Sequence, residues 1–145
     1  MTPRKRIVLL ALAMMVLVGL PLLGHWVRRG TIPGCALDGM PIIPLYRVEI
    51  IDNEGRRYEF CCIRCAQLWF DRHPGSRSVH VTDEEQGVAI PALSAYYVRS
   101  GVITNPTTKN RIHAFRSESA ARRHADSYHG TILSDRESPF ASPSE

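Results

Sequence analysis

The chain has 145 residues, a one-domain length, and a formal net charge of +4. That charge misleads, because five of the 18 basic residues (Arg4, Lys5, Arg6, Arg28, Arg29) flank one apolar stretch. Beyond residue 29, thirteen basic residues face fourteen acidic ones, a net charge of −1, which excludes a basic nucleic-acid-binding stripe.

Residues 1–6 form a short basic N-terminus, and residues 7–27 are apolar enough to cross a hydrocarbon core of roughly 30 Å. The spacing predicts a transmembrane helix over 7–27 that contacts membrane lipid. The heavier basic flank at Arg4–Arg6 puts the N-terminus in the cytoplasm and the remainder on the periplasmic, extracytoplasmic side. A cleaved signal peptide is the rival reading, but no A-x-A-like site follows the apolar run.

After the sequence CALDGMPIIP (35–44), residues 45–52 alternate apolar and polar as a strand does. The segment DNEGR makes a turn, with Asn53 and Gly55 suited to tight geometry, and RYEF (57–60) is the return strand. A helix follows over about 62–72, stopped by Pro74-Gly75, then a strand SVHVT (78–82) and a polar connector DEEQG (83–87). The same order then recurs: a strand at 93–100, a loop GVITNPTTKN, a strand at 111–115, a helix from the N-cap Ser117 to the stop at Gly130, and a strand TILS (131–134). Residues 135–145 read as a disordered polar tail.

The two halves superimpose without gaps between Phe60–Gly75 and Phe115–Gly130, with Ala66 opposite Ala121 and Asp71 opposite Asp126. In that frame Cys61 falls opposite Arg116 and Cys65 opposite Ala120. One half carries thiols and the other keeps the frame without them, so the cysteines serve chemistry rather than packing. The expected fold class is α+β, an N-terminal transmembrane helix followed by two related ββαβ units, 35–82 and 93–134.

Three of the four cysteines crowd into YEFCCIRCAQLWF (58–70). Cys61 and Cys65, four apart, share one face of a helix's first turn, where unpaired N–H groups favour thiolate. Cys62 and Cys65 form an equally reachable C-x2-C pair. Cys35 adds a thiol and Met40 a thioether. Such soft sulfur donors suit Cu(I), or zinc if a harder ligand such as Asp38 or a histidine joins. Structural disulfides and a thioredoxin-like exchange pair are the competing readings. Among the histidines His113 is the candidate, two positions before Phe115. Trp69 and Phe70 read as core. No Ser-His-Asp set, phosphate-binding glycine loop or paired carboxylates stand out, so no enzymatic activity is expected.

CALDGMPI followed by YEFCCIRCAQLWF resembles the TRASH/YHS type of metal-binding module. With IPALSAYYV and RIHAFRSESAARRHADSYHGTIL, residues 35–133 resemble the NosL family of copper-binding accessory proteins of nitrous oxide reductase. The resemblance implies two related ββαβ units and a Cu(I) chaperone that supplies a copper-receiving client or membrane assembly machinery. It also carries Cys35, Met40, Cys61 and Cys65 over as ligands, with Cys62 extra. Two positions depart from the family pattern: Asp38 stands for the second cysteine of the first loop, shifting preference toward zinc, and Thr107 stands for the methionine of a Gly-Pro-Met-Gly turn. The alternatives are a structural-zinc module that serves as an interaction scaffold or metal sensor, and a thiol-disulfide exchange protein.

Overall fold

The structure, a computed structural model, describes residues 14–15, 34–73 and 78–140. The expected anchor at 7–27 lies outside the described residues except for Met14 and Met15, and no described helix is long and apolar enough to cross a membrane. The N-terminus at 1–6, Pro74-Gly75 and residues 141–145 also lie outside them.

Within residues 34–73 and 78–140 the architecture is α+β, with two antiparallel sheets and two α-helices. Strands β1 (Val48–Ile51), β2 (Arg57–Phe60), β3 (Ser78–Asp83) and β4 (Val88–Pro91) form one sheet in the order β2-β1-β3-β4. Strands β5 (Tyr96–Arg99), β6 (Ile112–Phe115) and β7 (Thr131–Ile132) form the other in the order β6-β5-β7. Helix α1 (Ile63–Phe70) follows β2, and helix α2 (Glu118–Ser127) follows β6. Each helix thus leaves the return strand of a hairpin, and each hairpin's first strand lies in the middle of its sheet.

The period-two pattern of β1 holds: Val48 and Ile50 are buried while Glu49 and Ile51 are partly covered. Together with Phe60, Val81, Ile63 and Ala66 they form the larger core, which also contains all four cysteines. Burying a side chain such as Ile50 or Phe60 contributes about 1.5–3 kcal/mol. The turn between β1 and β2 is held by Asp52, whose Oδ1 accepts the N–H groups of Glu54 (2.9 Å) and Arg56 (3.0 Å), with Gly55 at φ +77°.

The two halves match in more than strand order. Gly39 and Gly87 both carry positive φ (71° and 70°), and each donates its N–H to the residue four back, Cys35 and Asp83. Short 3-10 turns follow at Pro44–Tyr46 and Ala92–Ser94, then β1 and β5. All these pairs stand 48 positions apart (39 to 87, 44 to 92, 48 to 96). From Phe60 and Phe115 onward the offset is 55 (60 to 115, 63 to 118), because the second hairpin loop is seven residues longer. In this frame β4, which the sequence reading leaves unassigned between the connector 83–87 and the strand at 93–100, corresponds to residues 40–43 leading out of the first loop.

Aromatic packing repeats as well. Trp69 packs against Tyr58 (ring centroids 4.6 Å apart), Phe60 (5.6 Å) and His73 (4.1 Å). At the corresponding place His124 packs against His113 (4.3 Å), Phe115 (5.1 Å) and Tyr128 (4.7 Å).

Two local features add to the sequence reading. Within the segment read as a polar tail, a capping box between Ser134 and Glu137 shapes a turn, Gln67 Nε2 donates to the Pro139 carbonyl (3.1 Å), and Phe140 is buried edge-on to Phe70. One aromatic residue was enough to dock a polar segment. Gly130 is needed for close approach rather than for a left-handed conformation, since a Cβ there would lie 2.8 Å from Val98 Cγ1; His129 takes the positive φ instead.

Candidate metal centre

The first loop is built to turn Cys35 inward. Its N–H donates to the Met40 carbonyl (2.9 Å), its carbonyl accepts from Gly39 N–H (2.8 Å), and Ala36 N–H ties the loop to Glu59 O (2.8 Å) at the end of β2. Gly34 lies against Gly39, where a Cβ would sit 3.0 Å from the carbonyl oxygen. Asp38 folds back over this loop, its Oδ1 accepting Met40 N–H at 3.1 Å.

Cys61 ends the exit from β2 and Cys65 lies in the first turn of α1, so the four-residue spacing brings their sulfurs to 3.5 Å. Both face Asp38: Cys65 Sγ lies 3.4 Å from Oδ2, and Cys61 Sγ 3.8 Å from each carboxylate oxygen. One donor atom from each of Cys35, Asp38, Cys61 and Cys65 lies within 4.8 Å of all the others. An ion held tetrahedrally at about 2.3 Å from sulfur and 2.0 Å from oxygen needs S···S near 3.8 Å and S···O near 3.5 Å. The donor set therefore fits one soft or borderline ion. Cys35, Cys61 and Cys65 are 3%, 5% and 0% exposed, whereas Asp38 is exposed, so the group opens to solvent on its carboxylate side.

The electrostatics of the site follow from this crowding. Burial opposes the charge on Asp38, but hydrogen bonds from Cys35, Met40 N–H, Cys65 and Cys61 outweigh it and hold the carboxyl below its ordinary value. Burial, then hydrogen bonding to Cys35, pushes the Cys61 thiol up to about 12. Cys65 is raised too, by its hydrogen bond to Cys62 and by burial. Cys62 is drawn down to about 6 by the hydrogen bond from Cys65, against burial and with help from Thr108 and Cys65 N–H. All four cysteines are free thiols.

Cys62 is not part of the group of four. It is the N-cap of α1, in extended conformation, with its sulfur 3.4 Å from Thr108 Oγ1. Its counterpart is Ser117, the N-cap of α2, which accepts Ala120 N–H at 3.2 Å. The extra thiol thus stands at a helix-capping position. His113 does not join the group either. Its Nδ1 bonds Glu84 (2.8 Å) and its Nε2 lies 3.3 Å from the Val102 carbonyl, and it occupies the place that Tyr58 holds in the first half. Met40, the fourth of the main expected ligands, sits at the mouth of the loop, 38% exposed.

In the second half the same frame is filled differently. Asp83 stands where Cys35 does, and its Oδ1 accepts the N–H groups of Glu85 (3.2 Å) and Arg116 (3.3 Å). Gln86, Arg116 and Ala120 stand for Asp38, Cys61 and Cys65. Sequence reasoning missed the pair of buried Asp83 and partly buried Glu84, whose signal was the shared five-residue spacing of CALDG and DEEQG.

In the loop 104–110 sequence reasoning singled out Thr107 and missed Asn105, Thr108 and Asn110. Asn105 Nδ2 donates to Cys61 Sγ (3.0 Å), Thr108 meets Cys62, and Asn110 Oδ1 accepts Arg64 N–H (3.3 Å) in the first turn of α1. The detectable signal was its seven extra residues beside the counterpart at 52–56.

No family model and no curated protein sequence matches the chain. Among solved structures it is similar to the crystal structure of the copper chaperone NosL from Shewanella denitrificans, with 19% identity and a TM-score of 0.59 over 69% of this chain and 84% of that one. The protein has a NosL-like fold.

Proposed function

We propose that this chain is a metal-binding protein that holds Cu(I) as cargo through Cys35, Cys61 and Cys65, with Met40 assisting, and passes it to a client cuproprotein. The observation that carries this reading is one buried pocket of three sulfurs closed on its solvent side by a carboxylate. Thiolates are the preferred donors of Cu(I), and an oxygen ligand is the one it releases most easily. Hand-over then starts at Asp38: an incoming thiol, thioether or imidazole replaces the carboxylate, and the cysteine sulfurs follow by exchange. No bond of the client is broken, so the role is binding and transfer rather than catalysis.

The wider setting belongs to the same proposal. An anchor at 7–27 would tether the domain to the outer face of the cytoplasmic membrane, raising its concentration near membrane assembly machinery. The neighbour described as a copper chaperone and the resemblance to nitrous oxide reductase accessory proteins together favour a client of that type. The matching halves are read as two related ββαβ units, one of which carries the site.

The exposed Asp38 favours one second reading, a zinc site that stabilises an interaction scaffold. Metal competition on the anaerobically purified protein decides. A copper carrier binds one Cu(I) and yields it to a chelator rapidly, with Asp38→Ala yielding faster and Asp38→Cys more slowly. Tight zinc required for folding supports the scaffold and contradicts the carrier.

A further inference from the structure

We infer that Asn105, from the second half, is a positioning residue for the sulfur of Cys61, so that the extra seven-residue loop sets how tightly the thiol pocket holds its cargo. This deepens the metal-binding reading and rests on it for the effect on affinity, but not for the contact itself.

The orientation of the Asn105 side chain is over-determined. The residue is 4% exposed, and its Oδ1 accepts two backbone N–H groups, from Thr107 (2.8 Å) and Thr108 (3.0 Å). With the carbonyl end occupied by donors, the amide end must face the other way, and it meets Cys61 Sγ at 3.0 Å. The loop that carries it is closed on itself. Asn105 and Asn110 bridge, Thr104 N–H donates to Asn110 O (3.0 Å), and Asn110 Nδ2 donates to Thr104 Oγ1 (2.7 Å) and Ile112 O (2.9 Å). The closed loop is fastened to the start of α1 through Asn110 and Arg64 N–H.

A pre-aimed N–H donor has two consequences for a ligating sulfur. It fixes the sulfur's direction toward Cys35, Asp38 and Cys65, and it stabilises the thiolate that a metal requires. Hydrogen-bonding partners of this kind typically change metal affinity by about 10–100-fold. The hairpin loop at 52–56, lacking the seven residues, bonds only within its own half among the bonds of Asp52.

The test separates holding the loop from holding the sulfur. Asn105→Ser keeps a short oxygen for the Thr107 N–H but cannot reach Cys61, whereas Asn105→Ala loses both. The expected result is that both variants weaken Cu(I) binding by about tenfold or more, and that the thiolate-to-metal charge-transfer band moves to lower energy in Asn105→Ser. Wild-type affinity and an unmoved band in Asn105→Ser, with loss only in Asn105→Ala, would reduce the residue to a loop former and overturn the proposal. A metal-free readout stands beside it: the side-chain amide resonances of Asn105 should shift in Cys61→Ala. Resonances that stay in place overturn the inference. A shift in Cys61→Ala together with a wild-type protein that binds neither Cu(I) nor zinc supports the contact and sinks the carrier reading instead.

Discussion

The corner around Cys61 and the corner around Arg116 are built on one backbone plan and filled with opposite chemistry. In both, a glycine-closed loop packs against the end of a return strand and a helix begins after an extended N-cap residue, Cys62 or Ser117, of which only Ser117 caps with its side chain. In the first corner the inward positions are Cys35, Cys61 and Cys65; in the second the corresponding residues are Asp83 and Ala120, both buried, and Arg116, which is exposed. Asp83 spends its carboxylate on backbone N–H groups, which stiffens the loop and leaves no soft donor. A frame that stands without sulfur in one half shows that sulfur is not required to build it in the other.

The largest effect expected from this comparison is at Cys65. Cys65→Ser should lower metal affinity beyond the roughly 100-fold typical of outer partners, while residues 93–133 keep their amide spectrum. Unchanged copper stoichiometry in equilibrium dialysis would remove Cys65 from the site. The converse experiment is a graft. The triple variant Asp83→Cys, Arg116→Cys, Ala120→Cys should bind a second metal ion per chain. A folded triple variant that still binds one would show that the likeness of the halves stops at the backbone.

A smaller effect separates Cys62 from its neighbours. Cys62→Ser should retain metal binding, because Cys62 lies outside the group of four, and should gain up to about 1 kcal/mol of stability, because a serine there supplies the side-chain cap that Ser117 gives α2 and Cys62 does not give α1. Equal metal loss in Cys62→Ser and Cys65→Ser would move the ligand pair. The smallest effect is at the aromatic position where the halves differ. Burial, with repulsion from the neighbouring His113 ring, lowers His124 from 6.5 to about 4. The unfolded chain therefore binds the extra proton between those values, so stability is full above pH 6.5 and falls as pH drops toward 4. His124→Gln should flatten that part of the melting-temperature profile, and an unchanged slope would refute the assignment.

The spacing of Cys61 and Cys65 was legible from the helix period, because it is local geometry, and Cys35 was legible through the resemblance of CALDGMPI to a metal-binding loop. The repeat from Phe60 onward was equally visible, since strand, cap and helix lie within a short window. Its earlier part was hidden by the unequal hairpin loops, which change the offset from 48 to 55. Cys62, Asn105 and Phe140 could not be placed, since each depends on a contact between distant segments: Thr108 on Cys62, the 104–110 loop on α1, and the C-terminal segment on Phe70. His113 drew notice for its nearness to Phe115, but its partner Glu84 is 29 residues away.

The most direct test is X-ray absorption at the copper edge on the anaerobic protein loaded with one equivalent of Cu(I). A first shell dominated by sulfur, and lost in the Cys61→Ser, Cys65→Ser double variant, is the outcome this account predicts. A nitrogen- and oxygen-dominated shell, or a sulfur shell that survives in the double variant, would contradict it.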